Sequence, residues 1–222
     1  MGNLYLVRHG QASFGAADYD NLSELGQRQS VRLGEYLAAR QIHFDAVLTG
    51  TLKRQVQTWA GIAKGAGLDN KALQWPGLNE FNGDAVIAAI HPEPLPPTNT
   101  PALYKQHFRL LRDGLTQWMN GVVSPAGMSS YNEFVQGVTS ALDHVRKETT
   151  GNVLIVSSGG PIATAVGHVL GTAPETTIAL NMRIRNSSIT EFVFNSKHHT
   201  LQTFNTLPHL DGAEYAPWIT YS

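Results

Sequence analysis

The chain has 222 residues, carries a net charge of −1 from 16 basic and 17 acidic residues, and contains no cysteine. The length suffices for one domain with a sizeable core. The balanced charge, with no basic block, argues against nucleic acid or an anionic membrane as partner, and the missing thiols exclude disulfides, thiolate catalysis and Cys-based zinc sites. Charged residues make up only 15% of the chain, against roughly 25% in an average protein, so any anion specificity must come from a local pocket. With no signal-peptide pattern and no membrane-length apolar run, a cytoplasmic protein is expected.

In chain order, residues 4–7 read as a buried strand that Gly10 breaks just after Arg8 and His9. Ser23 caps a helix with Leu22, Leu25, Leu33, Tyr36 and Leu37 at helical spacing. Residues 44–49 form a second strand, followed by a helix with Leu52, Val56, Trp59, Ala60 and Ala63 on one face. Residues 69–81 read as loop with a short strand. Pro92, Pro94, Pro96, Pro97 and Pro101 then rule out regular structure before a helix over about 102–120. Ser130 and Glu133 fit a capping box for the next helix. Residues 153–157 form a buried strand leading through Ser158-Gly159-Gly160-Pro161 into a helix to about Leu170. Residues 188–194 and 200–205 alternate like paired strands joined by a hairpin. The fold class expected is α/β: a mostly parallel central sheet flanked by helices on both faces, with the late strands supplying an antiparallel edge. A single domain over 1–222 is expected, with an excursion at about 82–129 that covers the active site.

Three strand-to-helix junctions carry chemistry. Arg8-His9-Gly10 ends the first strand, Arg54 lies in the first helical turn after the second, and Ser158-Gly159-Gly160 opens a helix after the third. If these strands are parallel neighbours, the junctions share the carboxyl edge of the sheet, where open α/β folds bind ligands. Arginine forks onto phosphate, a helix N-terminus favours anions, and a neutral imidazole can take a phosphoryl group covalently. No dinucleotide or nucleotide loop is present. His198-His199 has no acidic or thiol partner at ligand spacing and reads as a surface turn. Neither cofactor nor metal is expected.

These residues resemble the histidine phosphatase superfamily, which includes the cofactor-dependent phosphoglycerate mutases. The likeness rests on Arg8-His9-Gly10; Leu22-Ser23-Glu24-Leu25-Gly26 with Gln29; Leu52, Arg54, Gln57 and Thr58; Leu78-Asn79-Glu80; Asn186-Ser187-Ser188-Ile189-Thr190; and Asn205 with His209-Leu210. It implies that His9 becomes phosphohistidine, that Arg8 and Arg54 hold the phosphoryl oxygens together with Ser158 and Gly159, and that Glu80 protonates the leaving group of a small phosphorylated substrate. Three departures stand out. Ser158 takes the place of a second pocket histidine, Asn82-Gly83-Asp84-Ala85 replaces a tryptophan-bearing acidic run, and Gly137 stands where an arginine is frequent. The expected activity is phosphomonoester hydrolysis weakened at Ser158. The alternatives are a phospho-ligand-binding protein without useful turnover, or a phosphoglycerate mutase.

Overall fold

The structure is a computed structural model that describes residues 1–13, 19–96 and 100–221. Its regular elements are β1 (Gly2–Arg8), α1 (Glu24–Ala39), β2 (Ala46–Thr49), α2 (Lys53–Ala66), β3 (Leu73–Gln74), α3 (Gly83–Ala88), α4 (Pro101–Met119), α5 (Tyr131–Glu148), β4 (Gly151–Ser157), α6 (Gly159–Leu170), α7 (Pro174–Asn181), β5 (Ile189–Phe194) and β6 (His199–Thr206). The strands form one sheet in the order β3-β2-β4-β1-β5-β6. The first four in that order run parallel, while β5 and β6 add an antiparallel edge.

Alternation along the strands builds a two-sided core. Val153 and Ile155 face one side with Leu4 and Leu6, packed against Val138, Leu142 and Val145 of α5 and Ile162 and Val166 of α6. Leu154 and Val156 face the other with Val7, against Leu33 and Leu37 of α1 and Trp59 and Ile62 of α2. A strand with both faces covered reads as a continuous apolar run, which is what β4 shows. Outside these layers, Val86 of α3, Leu115 and Trp118 of α4, and Ile178 of α7 form a separate apolar cluster.

Local chemistry sets the boundaries. Ser23 Oγ accepts from the Gly26 N–H at 3.0 Å and starts α1, and the Ser130–Glu133 capping box starts α5 as expected. The second strand is shorter than 44–49: Phe44 packs edge-on to Tyr5 at 5.6 Å, and the Asp45 carboxylate accepts from the Asn152 N–H at 2.8 Å. Helices α3 and α7 were not anticipated, since six and eight residues are too few to display a period. Gly137 has a packing reason: a Cβ added there would lie 3.0 Å from Gly77 Cα, since α5 crosses the short 3-10 turn Pro76–Leu78 at backbone contact.

The end of the chain is anchored by His209, which is 1% exposed. Its Nε2 lies 2.9 Å from Ser187 Oγ, while Nδ1 is buried without a partner. Burial, aided by the charge of Arg32, lowers its pKa from 6.5 to about 3. The unfolded chain therefore takes up this proton first. The contribution to stability is intact above about pH 6.5 and is lost as pH falls toward 3. In denaturant titrations at pH 7.5 and 5, His209→Gln should weaken the acid sensitivity by one proton's worth of slope. A slope identical to the parent's would contradict this.

Candidate active site

The register of the sheet delivers the site. Arg8, the last residue of β1, pairs with Ser157, the last of β4, and Thr49 at the end of β2 pairs with Val156. All three strand-to-helix junctions therefore open on one edge, with Arg54 in the first turn of α2 and Gly159 at the start of α6.

His9 is 3% exposed, and its backbone is pinned from both sides. Its N–H donates to the Ser157 carbonyl at 2.9 Å, and its carbonyl accepts from the Ser187 N–H and from Asn186 Nδ2, each at 3.2 Å. Its Nδ1 lies 2.7 Å from the Gly10 carbonyl. A carbonyl only accepts, so Nδ1 carries the ring proton and Nε2 keeps its lone pair. Arg54 Nε donates to that lone pair at 3.2 Å. Burial, then the Arg8 and Arg54 charges, hold the imidazole well below 6.5, partly offset by the bond to Gly10. At neutral pH the ring is uncharged, with Nε2 turned toward a guanidinium.

The two arginines are braced differently. Arg54 donates from Nη1 to Asp20 Oδ1 at 2.7 Å, and the other Asp20 oxygen accepts from the Lys53 N–H at 2.9 Å. Arg8 Nη1 donates to the carbonyls of Ile184 and Tyr221. Arg8 Nε is buried with no partner. Thr58 ties the cluster together, accepting from the Gly10 N–H at 3.0 Å and donating to the Arg54 carbonyl at 2.7 Å.

Glu80 sits across from these cations. Both of its carboxylate oxygens accept from the Gly160 N–H at 3.1 Å, so the first turn of α6 holds the acid in place. A Cβ at Gly160 would lie 2.1 Å from Glu80 Oε1, so any larger residue here would displace the carboxyl. Burial pushes the Glu80 pKa up, opposed by the Gly160 bond and by Arg54 and Arg8. A carboxyl whose pKa is raised by burial near two guanidiniums is suited to general-acid work.

Ser158 is wholly buried. It occupies the N-cap position of α6, yet its hydroxyl caps nothing. Instead its Oγ accepts from Gln55 Nε2 at 2.9 Å. The same amide donates to the Leu78 carbonyl at 2.9 Å, which also accepts from Ser157 Oγ at 2.7 Å. Gln55 thus links α2, the Ser158 turn and the segment leading to Glu80. Gly159 follows as the first residue of α6, with Asn181 of α7 close enough that a Cβ would meet its Oδ1 at 2.6 Å.

All six residues singled out in the sequence lie at this edge. Sequence reasoning missed Asp20, Gln55 and the role of Asn186. Gln55 neighbours Arg54 on α2, but the bonds it makes reach residues 23 and 103 positions away, and no local pattern signals them. Gln29, quoted in the sequence motif, is structural: it accepts from the Gln11 N–H at 2.8 Å and donates to the Trp218 carbonyl at 2.6 Å. Among the described residues, no three His, Asp or Glu side chains are grouped to hold a metal, and no helix is long and apolar enough to cross a membrane.

Fold and pocket together define an α/β protein with a neutral histidine, two arginines and a protonatable glutamate at the carboxyl edge of its sheet. The chain belongs to the histidine phosphatase superfamily, branch 1, whose family model matches residues 4–207. A broad-specificity phosphatase of Saccharomyces cerevisiae is 33% identical over 84 residues, a match that spans 35% of this chain and 36% of the yeast protein. A phosphoglycerate mutase from Bacillus anthracis shares the fold at a TM-score of 0.66 and 21% identity, with 94% of each chain covered. A phosphoserine phosphatase from Entamoeba histolytica, solved with phosphoserine, shares it at 0.64 and 22% identity, covering 95% of this chain and all of that one.

Proposed function

We propose that this chain hydrolyses small phosphomonoesters through a phosphohistidine on His9. The observation that carries the reading is the geometry at the sheet edge: the His9 imidazole with Nδ1 on the Gly10 carbonyl and Nε2 facing Arg54, and the Glu80 carboxyl held nearby by the Gly160 N–H, with burial pushing the His9 pKa down and the Glu80 pKa up. In the first step the Nε2 lone pair attacks phosphorus, the bond from phosphorus to the ester oxygen breaks, and the Glu80 proton passes to that oxygen. Arg8 and Arg54 stabilise the charge on the transferring phosphoryl group, which is most of what such a reaction asks of a protein. In the second step Glu80, now a carboxylate, takes a proton from water as it attacks phosphorus. Phosphate leaves and His9 returns neutral.

The test is the dependence on leaving group. In kcat/KM, which reads the phosphorylation step and not the water attack that all substrates share, Glu80→Gln should slow alkyl phosphates by about 10²–10⁴-fold, the usual worth of a general acid, and 4-nitrophenyl phosphate far less, since nitrophenolate leaves unprotonated. In the parent, the alkyl phosphate rate should fall as pH rises through the raised Glu80 pKa. That limb should vanish in the variant. Equal losses on both substrates would remove Glu80 from the acid's role.

A second reading, a phospho-ligand-binding protein without useful turnover, is favoured by one observation. Ser158 brings no charge to the pocket, and its hydroxyl oxygen already accepts from Gln55. The cationic set Arg8 and Arg54 would serve binding equally well.

A further inference from the structure

A recess of about 230 Å³ opens where α5, the end of α6 and the β5–β6 hairpin meet. Asp143 and Arg146 of α5, His168 of α6, and Lys197 and His199 of the hairpin supply its polar wall, and Leu142 and Val169 its apolar part. It lies at the opposite edge of the sheet from His9. Phe194 pairs with both His199 and Gly2, so the hairpin stands beside the start of β1, whereas Arg8 ends that strand. At ~3.3 Å per residue the two edges are about 20 Å apart. We propose that the recess binds a small organic anion, its carboxylate or phosphoryl oxygens on Arg146, Lys197 and the two histidines and its carbon body over Leu142 and Val169. The site does not depend on the reading of His9.

The balance of charge favours an anion. Asp143 is the one carboxylate of the wall, and it is already engaged: one oxygen accepts from Arg146 Nη2 and the other lies 3.7 Å from Lys147 Nζ. Arg146 and His168 sit in the last turns of α5 and α6, where a cation offsets the helix end. Lys197 and His199 stand on a hairpin and have no such reason. The guanidinium is also fixed in place, since Arg146 Nη1 donates to the Lys197 carbonyl at 2.5 Å. The His199 ring packs 5.7 Å from that of Phe194. Burial, then the Arg146 charge, lowers its pKa to about 4, so it is neutral at pH 7. Two polar atoms of the wall residues, Arg146 Nε and His199 Nε2, are buried without a partner. A guanidinium N–H and the N–H of a neutral imidazole both suit an oxyanion, and leaving such donors unpaired is unfavourable. A metal ion fits less well: among the described residues no three His, Asp or Glu side chains are grouped to hold one, and Arg146 and Lys197 repel it. An apolar cavity of about 150 Å³ accepts benzene, so this recess has room for a small organic ion.

The experiment titrates malonate and methylphosphonate into the full chain and follows the histidine ring signals by NMR, with those of His168 and His199 assigned from His168→Gln and His199→Gln. Both rings should shift together and saturate with at least one of the two anions, and the tighter of the pair identifies the head group as carboxylate or phosphoryl. Lys197→Glu and His168→Glu, both at exposed positions, should each weaken that binding about tenfold or more, as loss of a charge-assisted contact does. Arg8→Ala should leave the shifts intact, because the anion is not on the catalytic cations. No saturable shift at these rings with either anion overturns the proposal, as does equal affinity in the parent and both charge-reversed variants. Shifts lost in Arg8→Ala, or reproduced by ethylammonium, overturn it as well.

Discussion

His9→Ala is expected to abolish hydrolysis, lowering kcat on the order of 10⁴–10⁶-fold, as loss of a covalent nucleophile does. The expectation comes from position as much as chemistry. One bond from its N–H and two to its carbonyl fix where the ring stands, Gly10 selects the tautomer, and Arg54 marks the nitrogen proposed to react. Among the described residues, His209 is turned onto Ser187 Oγ and His198 lies in the hairpin turn after Asn195. The variant should keep its fold, because the ring's two polar contacts are to Gly10 and Arg54, which Asp20 also braces. It should still bind vanadate or phosphate through Arg8 and Arg54, although more weakly. Activity persisting in a clean His9→Ala preparation would mean that another group accepts the phosphoryl.

Ser158→His is expected to move the rate in the opposite direction. We propose that Ser158 marks a lost donor, and one preorganised donor to a transferring group is worth about 10²–10³ in rate, roughly 2.7–4 kcal/mol. The structure sharpens the condition for rescue. Ser158 is fully buried, and its Oγ sits against Gln55 Nε2, so an imidazole has to displace that amide or share it. Overpacking of this kind costs typically about 1–3 kcal/mol of stability. Gln55 also holds the Leu78 carbonyl near the Glu80 segment, so moving it would trade a new donor against a loosened acid. A gain in kcat with a modest fall in Tm fits the account. No gain in a folded variant that still binds phosphate favours recognition over catalysis. A slower enzyme would give Ser158 a catalytic part of its own.

The sheet and the cationic edge were legible because each is written locally. The apolar run of β4, the Gly10 break after His9 and the Ser130–Glu133 box all announce themselves within a few residues. Parallel pairing then follows from strand–helix alternation, and with it the meeting of Arg8, His9, Arg54 and Ser158. What the sequence did not show is whatever depends on long-range partners. Asp20 is one acidic residue among 17 until Arg54 is seen 2.7 Å away. Ser158 is placed in the pocket by the sequence, but the Gln55 amide on its oxygen comes only with the fold. The apolar cluster of Val86, Leu115, Trp118 and Ile178 is assembled from segments before and after β4, and the short helix α7, which supplies Ile178, has no periodic face to betray it.

The most direct test of the account is to trap the covalent intermediate. The parent chain, mixed with 4-nitrophenyl phosphate and quenched in alkali within the first turnovers, should carry one phosphoryl group. Peptide mass spectrometry should place it on His9, and the modification should be stable in base and lost in acid. Turnover with no phosphorylated histidine at any quench time, or a phosphoryl group on a residue other than His9, would contradict it.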